Sequence, residues 1–114
     1  MYVVFAVGVI IIAIMIVMFG FRNSMRINLK TGYWNKMLYS GPNDIDIAFA
    51  FSPIIPTTEV TIWSIDGKGY KSTAPYWAND LKWLLPQGIY LISVSRDVSL
   101  HFPGAKIISR EKIN

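Results

Sequence analysis

The sequence predicts a single N-terminal transmembrane α-helix followed by a small β-rich (α+β) extramembrane domain with one short helix. Three observations lead there. Tyr2 to Phe21 is a run of twenty residues without a charged side chain. At about 1.5 Å of rise per residue, such a run covers a bilayer core of about 30 Å. Next come Arg22, Arg26, Lys30 and Lys36, with no acid before Asp44. From Gly41 onward, apolar residues alternate with polar ones between Gly- and Pro-containing turns, the pattern of half-buried strands. The predicted organisation is a span over 1–21, a basic and aromatic juxtamembrane segment over 22–40, and a β-rich domain over 41–114.

The span lacks the marks of a cleaved leader. No basic residue precedes it, the apolar run is too long, and Phe19-Gly20-Phe21-Arg22 offers no small-residue cleavage site. Ala6, Ala13 and Gly20 recur at intervals of seven and form a candidate helix-packing seam, since small side chains let helices approach closely in lipid. Arg22, Arg26 and Lys30 are four apart, so a helix continuing past the bilayer stacks them on one face. With Lys36 they make a lipid-headgroup collar. Thr31-Gly32 then ends that helix, and Tyr33, Trp34 and Tyr39 are candidate interface aromatics, with the domain's own core as the equal alternative. Basic residues flanking a span tend to stay inside, so the expected topology is N-terminus out and C-terminal domain cytoplasmic, in a cell or organelle inner membrane. The opposite orientation is the competing topology.

In the domain, Asp44 to Phe51 alternates strictly and predicts a strand with Ile45, Ile47, Phe49 and Phe51 on one face. Glu59 to Ile65, the turn Asp66-Gly67-Lys68-Gly69 and a return through Tyr70 to Ser72 predict a hairpin. Pro75 to Leu85 predicts a short helix presenting Trp77, Leu81, Leu84 and Leu85 to one side, closed by Pro86 and Gly88, with a turn at Asn79-Asp80 as the equal alternative. Ile89 to Ser95 reads as the most buried strand. Val98, Leu100 and Phe102 alternate, and Lys106 to Ser109 adds a last strand.

Charge and composition exclude several function classes. Of the 11 Lys and Arg, the first four stand at 22–36, and the remainder balance the seven Asp and Glu. The domain itself is neutral, so its net charge does not point to the basic face that nucleic acid requires, though a neutral domain can still carry a local patch. With no cysteine there is no disulfide framework and no thiolate chemistry. His101, the single histidine, alternates with apolar neighbours and reads as a surface residue of a strand. Asp44 and Asp46 fall on one side of their predicted strand, as paired carboxylates would, yet solvent-facing charge on an amphipathic strand is the ordinary explanation. Asp66-Gly67-Lys68-Gly69 lacks the spacing of a phosphate loop. No catalytic residue, cofactor, metal or small-molecule substrate is inferred.

Two functions fit this reading. The first is a non-catalytic accessory subunit of a larger integral-membrane complex, of electron-transport, photosynthetic, secretion or viral-membrane type. Its partners are membrane lipids and other membrane subunits. The second is a membrane-tethered module that recognises a ligand or peptide through an aromatic-rich surface. Trp63, Tyr70, Tyr76, Trp77, Trp83 and Tyr90 are its candidate anchors.

Overall fold

Residue 26 already belongs to a β-strand, and the strands that follow set the architecture. A computed structural model of the chain describes residues 25–113. Nine strands occur among them: β1 (Arg26–Leu29), β2 (Tyr33–Tyr39), β3 (Ile45–Asp46), β4 (Val60–Ser64), β5 (Gly69–Lys71), β6 (Trp83–Leu84), β7 (Gly88–Val94), β8 (Val98–His101) and β9 (Ala105–Lys112). One four-residue helix, α1 (Ile47–Ala50), follows β3, and a single 3-10 turn covers Tyr76–Ala78.

The main sheet is antiparallel, in the order β5-β4-β7-β2-β9. β1 and β8 form a separate ribbon, and β3 and β6 a short second one. Side chains alternate across a strand, so one row of partners crosses the whole sheet on its inner face. That row runs Tyr70, Ile62, Ile92, Asn35, Arg110. It is apolar at one end and polar at the other. The next inner positions, Tyr90, Met37 and Ile107, extend the core.

Ile27, Leu29 and Leu100 from the β1–β8 ribbon join that core, as do Ile47, Phe51 and Ile54 from the α1 region. Phe102 links the two groups, with ring centroids 5.7 Å from both Tyr39 and Phe51 in edge-on geometry. Fully burying one such side chain stabilises by about 1.5–3 kcal/mol. Gly104 marks a close approach behind this cluster. It has φ +85°, and a Cβ there would stand 2.9 Å from the backbone of Gly41. Only glycine fits the position.

The structure differs from the sequence-based expectation in three places. The expected fold class is replaced by a small β-rich domain with one short helix. Among the described residues no helix is long and apolar enough to cross a membrane. That finding overturns the membrane-spanning class and the single-pass localisation drawn from it. The span expected over 1–21, with Ala6, Ala13 and Gly20, lies outside the described residues, as does Arg22.

The second correction concerns the expected helical collar. Arg26 sits on β1 and Lys30 in the turn after it, while Lys36 is on β2. In β1, Ile27 and Leu29 are buried and Arg26 and Asn28 exposed, the alternation of a strand. Tyr33, Trp34 and Tyr39, expected at a membrane interface, lie on β2; Tyr39 is buried and the other two half-buried.

Third, the expected strand over 44–51 breaks after Asp46, whose carboxylate accepts the Phe49 N–H at 3.0 Å and caps α1. Helical spacing then buries Ile47 and Phe51 and turns Phe49 outward. The expected helix over 75–85 is likewise reduced to the 3-10 turn. Leu81 and Leu84 are buried, but Trp77 and Leu85 face solvent.

Candidate functional site

The hairpin β4–β5 turns at Asp66-Gly67, with Gly67 at φ +90°. Its tip stands opposite the chain from Asp80 to Leu85. Between them is a groove of about 320 Å³, with Asp66 and Lys68 on the hairpin side, Lys82, Trp83 and Leu85 on the other, and Tyr90 also in its lining.

The polar groups in this groove are committed to holding it open. Ser64 donates its hydroxyl to Asp66, and its Oγ accepts the Lys68 N–H at 3.0 Å. The Ser64 hydroxyl, with Lys68 adding its charge, holds the Asp66 carboxyl below its ordinary value of 3.8. Asp80 accepts the Gly69 N–H at 2.8 Å, which fastens the far wall to β5. Leu81 N–H donates to Gly69 C=O at 3.1 Å and completes that clasp. Tyr90 contributes its hydroxyl as an acceptor for the Leu85 N–H at 2.8 Å.

Around the groove stand large exposed side chains. Trp77 is 82% exposed, Phe49 73%, Tyr76 65% and Trp83 51%. The segments carrying them are tied together: Asp46 pairs with Trp83 across β3–β6, and Ile47 N–H donates to Lys82 C=O at 3.0 Å. Lys82 Nζ lies 4.2 Å from the centroid of the Tyr76 ring, a cation–π contact that orients both. A cluster of exposed aromatics around a concave, mixed-charge groove is suited to bind. Aromatic side chains bring large contact area at small entropic cost, and such clusters mark interaction surfaces.

Of the six aromatics read from the sequence as anchors, Trp83 lines the groove, Tyr76 reaches its edge through Lys82, and Trp77 is exposed beside Tyr76 on the same 3-10 turn. Tyr70 and Tyr90 are buried, and Trp63 lies on the opposite, outer face of the main sheet. Phe49 and Leu85 belong to the exposed set but were assigned to buried faces. The cap at Asp46 was the available signal for Phe49.

The remaining candidates disperse. His101 is exposed and pairs with Arg26 across β1–β8. Asp44 and Asp46 separate in role, since Asp46 caps α1. Among the described residues no group of three or more His, Cys, Asp or Glu could hold a metal ion. No family model, curated protein or solved structure matches this chain.

Proposed function

We propose that this chain is a non-catalytic accessory subunit that docks a protein partner through the aromatic rim at Tyr76, Trp77 and Trp83. The observation that carries the reading is the exposure of these three rings beside a groove whose carboxylates and hydroxyls are already engaged in its own turn contacts. Aromatic anchors dominate binding energy where they enter a partner's pocket and lose water. Nothing in the fold's own core requires them: the inner face of the sheet is filled by other residues. Carboxylates and hydroxyls engaged in turn geometry support positioning better than proton transfer, which needs a group free to exchange protons with a substrate.

A photo-crosslinking amino acid placed at Trp77 or Trp83 tests this in the source cells. The expected result is one discrete adduct of higher mass from each position, and none from Thr31 at the far end of the domain. The Tyr76→Ser variant should reduce the yield from both positions. Adducts of equal yield from Thr31, or none from the rim, would remove the reading.

A further inference from the structure

β1 and β9 do not pair with each other, and a slot of about 280 Å³ separates them. Its lining includes Arg26 and Asn28 from β1 and Lys106, Ile107 and Arg110 from β9; no Asp or Glu among the described residues lines it. This slot is formed by elements other than those of the aromatic rim.

The backbone phase of both strands turns N–H donors, together with the C=O groups of the same residues, towards the slot, where Arg110 takes up the Asn28 C=O. Phe102 N–H donates to Met25 C=O at 2.7 Å, which sets the β1–β8 ladder so that Arg26 and Asn28 turn their backbone groups away from β8. On the other wall, Ser40 N–H donates to Gly104 C=O at 2.7 Å, so Ile107 turns its backbone groups away from β2. Arg110 is fixed in place independently of any ligand. Its Nε donates to Oδ1 of the fully buried Asn35 at 3.0 Å, and an Nη donates to Asn28 C=O at 2.5 Å. Its other N–H groups make no hydrogen bond among the described residues. Arg26 is steadied by a 3.1 Å bond from Nε to Ser99 Oγ.

We propose that this slot binds a phosphate-type oxyanion, held by the side chains of Arg26, Lys106 and Arg110 and the backbone N–H groups of Asn28 and Ile107. Among the described residues, three cations and no acid line the slot itself. The Asp97 carboxylate stands in the adjoining pocket that Arg110 also borders, and its Oδ1 accepts the Thr31 N–H. Such a lining matches a dianion better than a single carboxylate. Donors converging from two strands suit a tetrahedral group with several acceptor oxygens. Charge-assisted bonds to guanidinium are the strong kind, and a pre-oriented arginine loses little freedom on forming them.

The test is an NMR titration of the full-length, isotope-labelled chain with inorganic phosphate, at ionic strength held constant with sodium chloride. Saturable shifts are expected at the Asn28 and Ile107 amides. Binding should weaken as pH falls below about 6, where the dianion takes up a proton. Arg26→Gln and Lys106→Gln remove exposed side chains, and each should weaken binding about tenfold through loss of a charge-assisted contact. An unchanged thermal midpoint without phosphate confirms that both variants fold. A phosphoserine tetrapeptide identifies the source: tighter binding than free phosphate assigns the group to a protein partner, and equal binding to a free anion. Shifts reproduced by chloride alone, or phosphate binding undiminished in the double variant, would overturn the site.

Discussion

Asn35 and Asn79 close opposite sides of the molecule in the same manner, and they differ in how much depends on each. Both are buried, and both offer a side-chain amide to the N–H and C=O of a single backbone residue, as a neighbouring strand would. Asn35 accepts from Lys30 N–H at 3.0 Å and donates to Lys30 C=O at 3.1 Å. Asn79 accepts from Lys71 N–H at 2.9 Å and donates to Lys71 C=O at 3.2 Å. There the likeness ends. Asn35 sits within a seven-residue strand, and its amide also reaches Ile92 C=O at 2.9 Å and receives Arg110. It joins the β1 side of the fold to β2, β7 and β9. Asn79 sits in a loop and finishes the outer strand β5 alone. A polar group in a regular element becomes a hub, whereas the same group in a loop becomes a stopper.

The largest expected effect breaks the hub. Asn35→Ala strands the Lys30 backbone groups and the Arg110 guanidinium, and should cost about 3–5 kcal/mol in urea unfolding. A loss below about 1 kcal/mol would mean that water replaces the amide without penalty. Asn79→Ala is expected to cost only about 1–2 kcal/mol. It should speed hydrogen exchange at the Lys71 amide while leaving Ile92 protected; uniform acceleration would show the stopper to be a second hub.

The smallest effect concerns Tyr70, on the strand that Asn79 finishes. Burial, with the Asp46 charge adding to it, raises the Tyr70 hydroxyl above its ordinary 10.0. A raised value means that the folded state holds this proton more tightly than the unfolded chain. The associated stability is therefore complete below pH 10.0 and declines as pH rises through the folded-state value. Asp46→Asn preserves the helix cap, since asparagine caps well, and removes the charge. Ring-carbon NMR titration should then find Tyr70 lowered but still above 10.0, because burial is the larger cause. An unchanged value would detach Asp46 from the site.

Much of the regular half was legible in the sequence. The hairpin β4–β5, the central strand β7 and the alternation of β8 follow from period-two apolar patterns and a Gly-containing turn. β1 was not read, because Arg26 and Lys30 are four apart. Four is close to one helical turn, and it is also two strand repeats; Ile27 and Leu29 between them decide for the strand.

The same ambiguity misplaces Phe49, which strict alternation puts on one face with Ile47 and Phe51; the deciding residue is the cap at Asp46. Over 75–85, the apolar spacing fitted a helix. Asn79 and Asp80 instead spend their side chains on the β5 backbone, a long-range pairing that no local pattern reveals. At the candidate site, aromatic composition pointed to Tyr76, Trp77 and Trp83 without separating them from Tyr70 and Tyr90, since exposure depends on which strand face each ring occupies. Asn35 and Arg110, 75 positions apart, were equally hidden.

The bulge in β9 has a bearing on solubility. Lys36 pairs with Ser109 and Met37 with Ile107, so Ile108 has no partner across the ladder. An unbroken outer strand of eight residues would be a template on which a second molecule could add, and a third on that. The extra residue bends the strand and throws its hydrogen-bonding groups out of step, while Lys106 and Lys112 place like charge along it. Such a strand resists polymerising into fibres, so deleting Ile108 to restore a flat ladder would convert a self-limiting domain into one prone to stack.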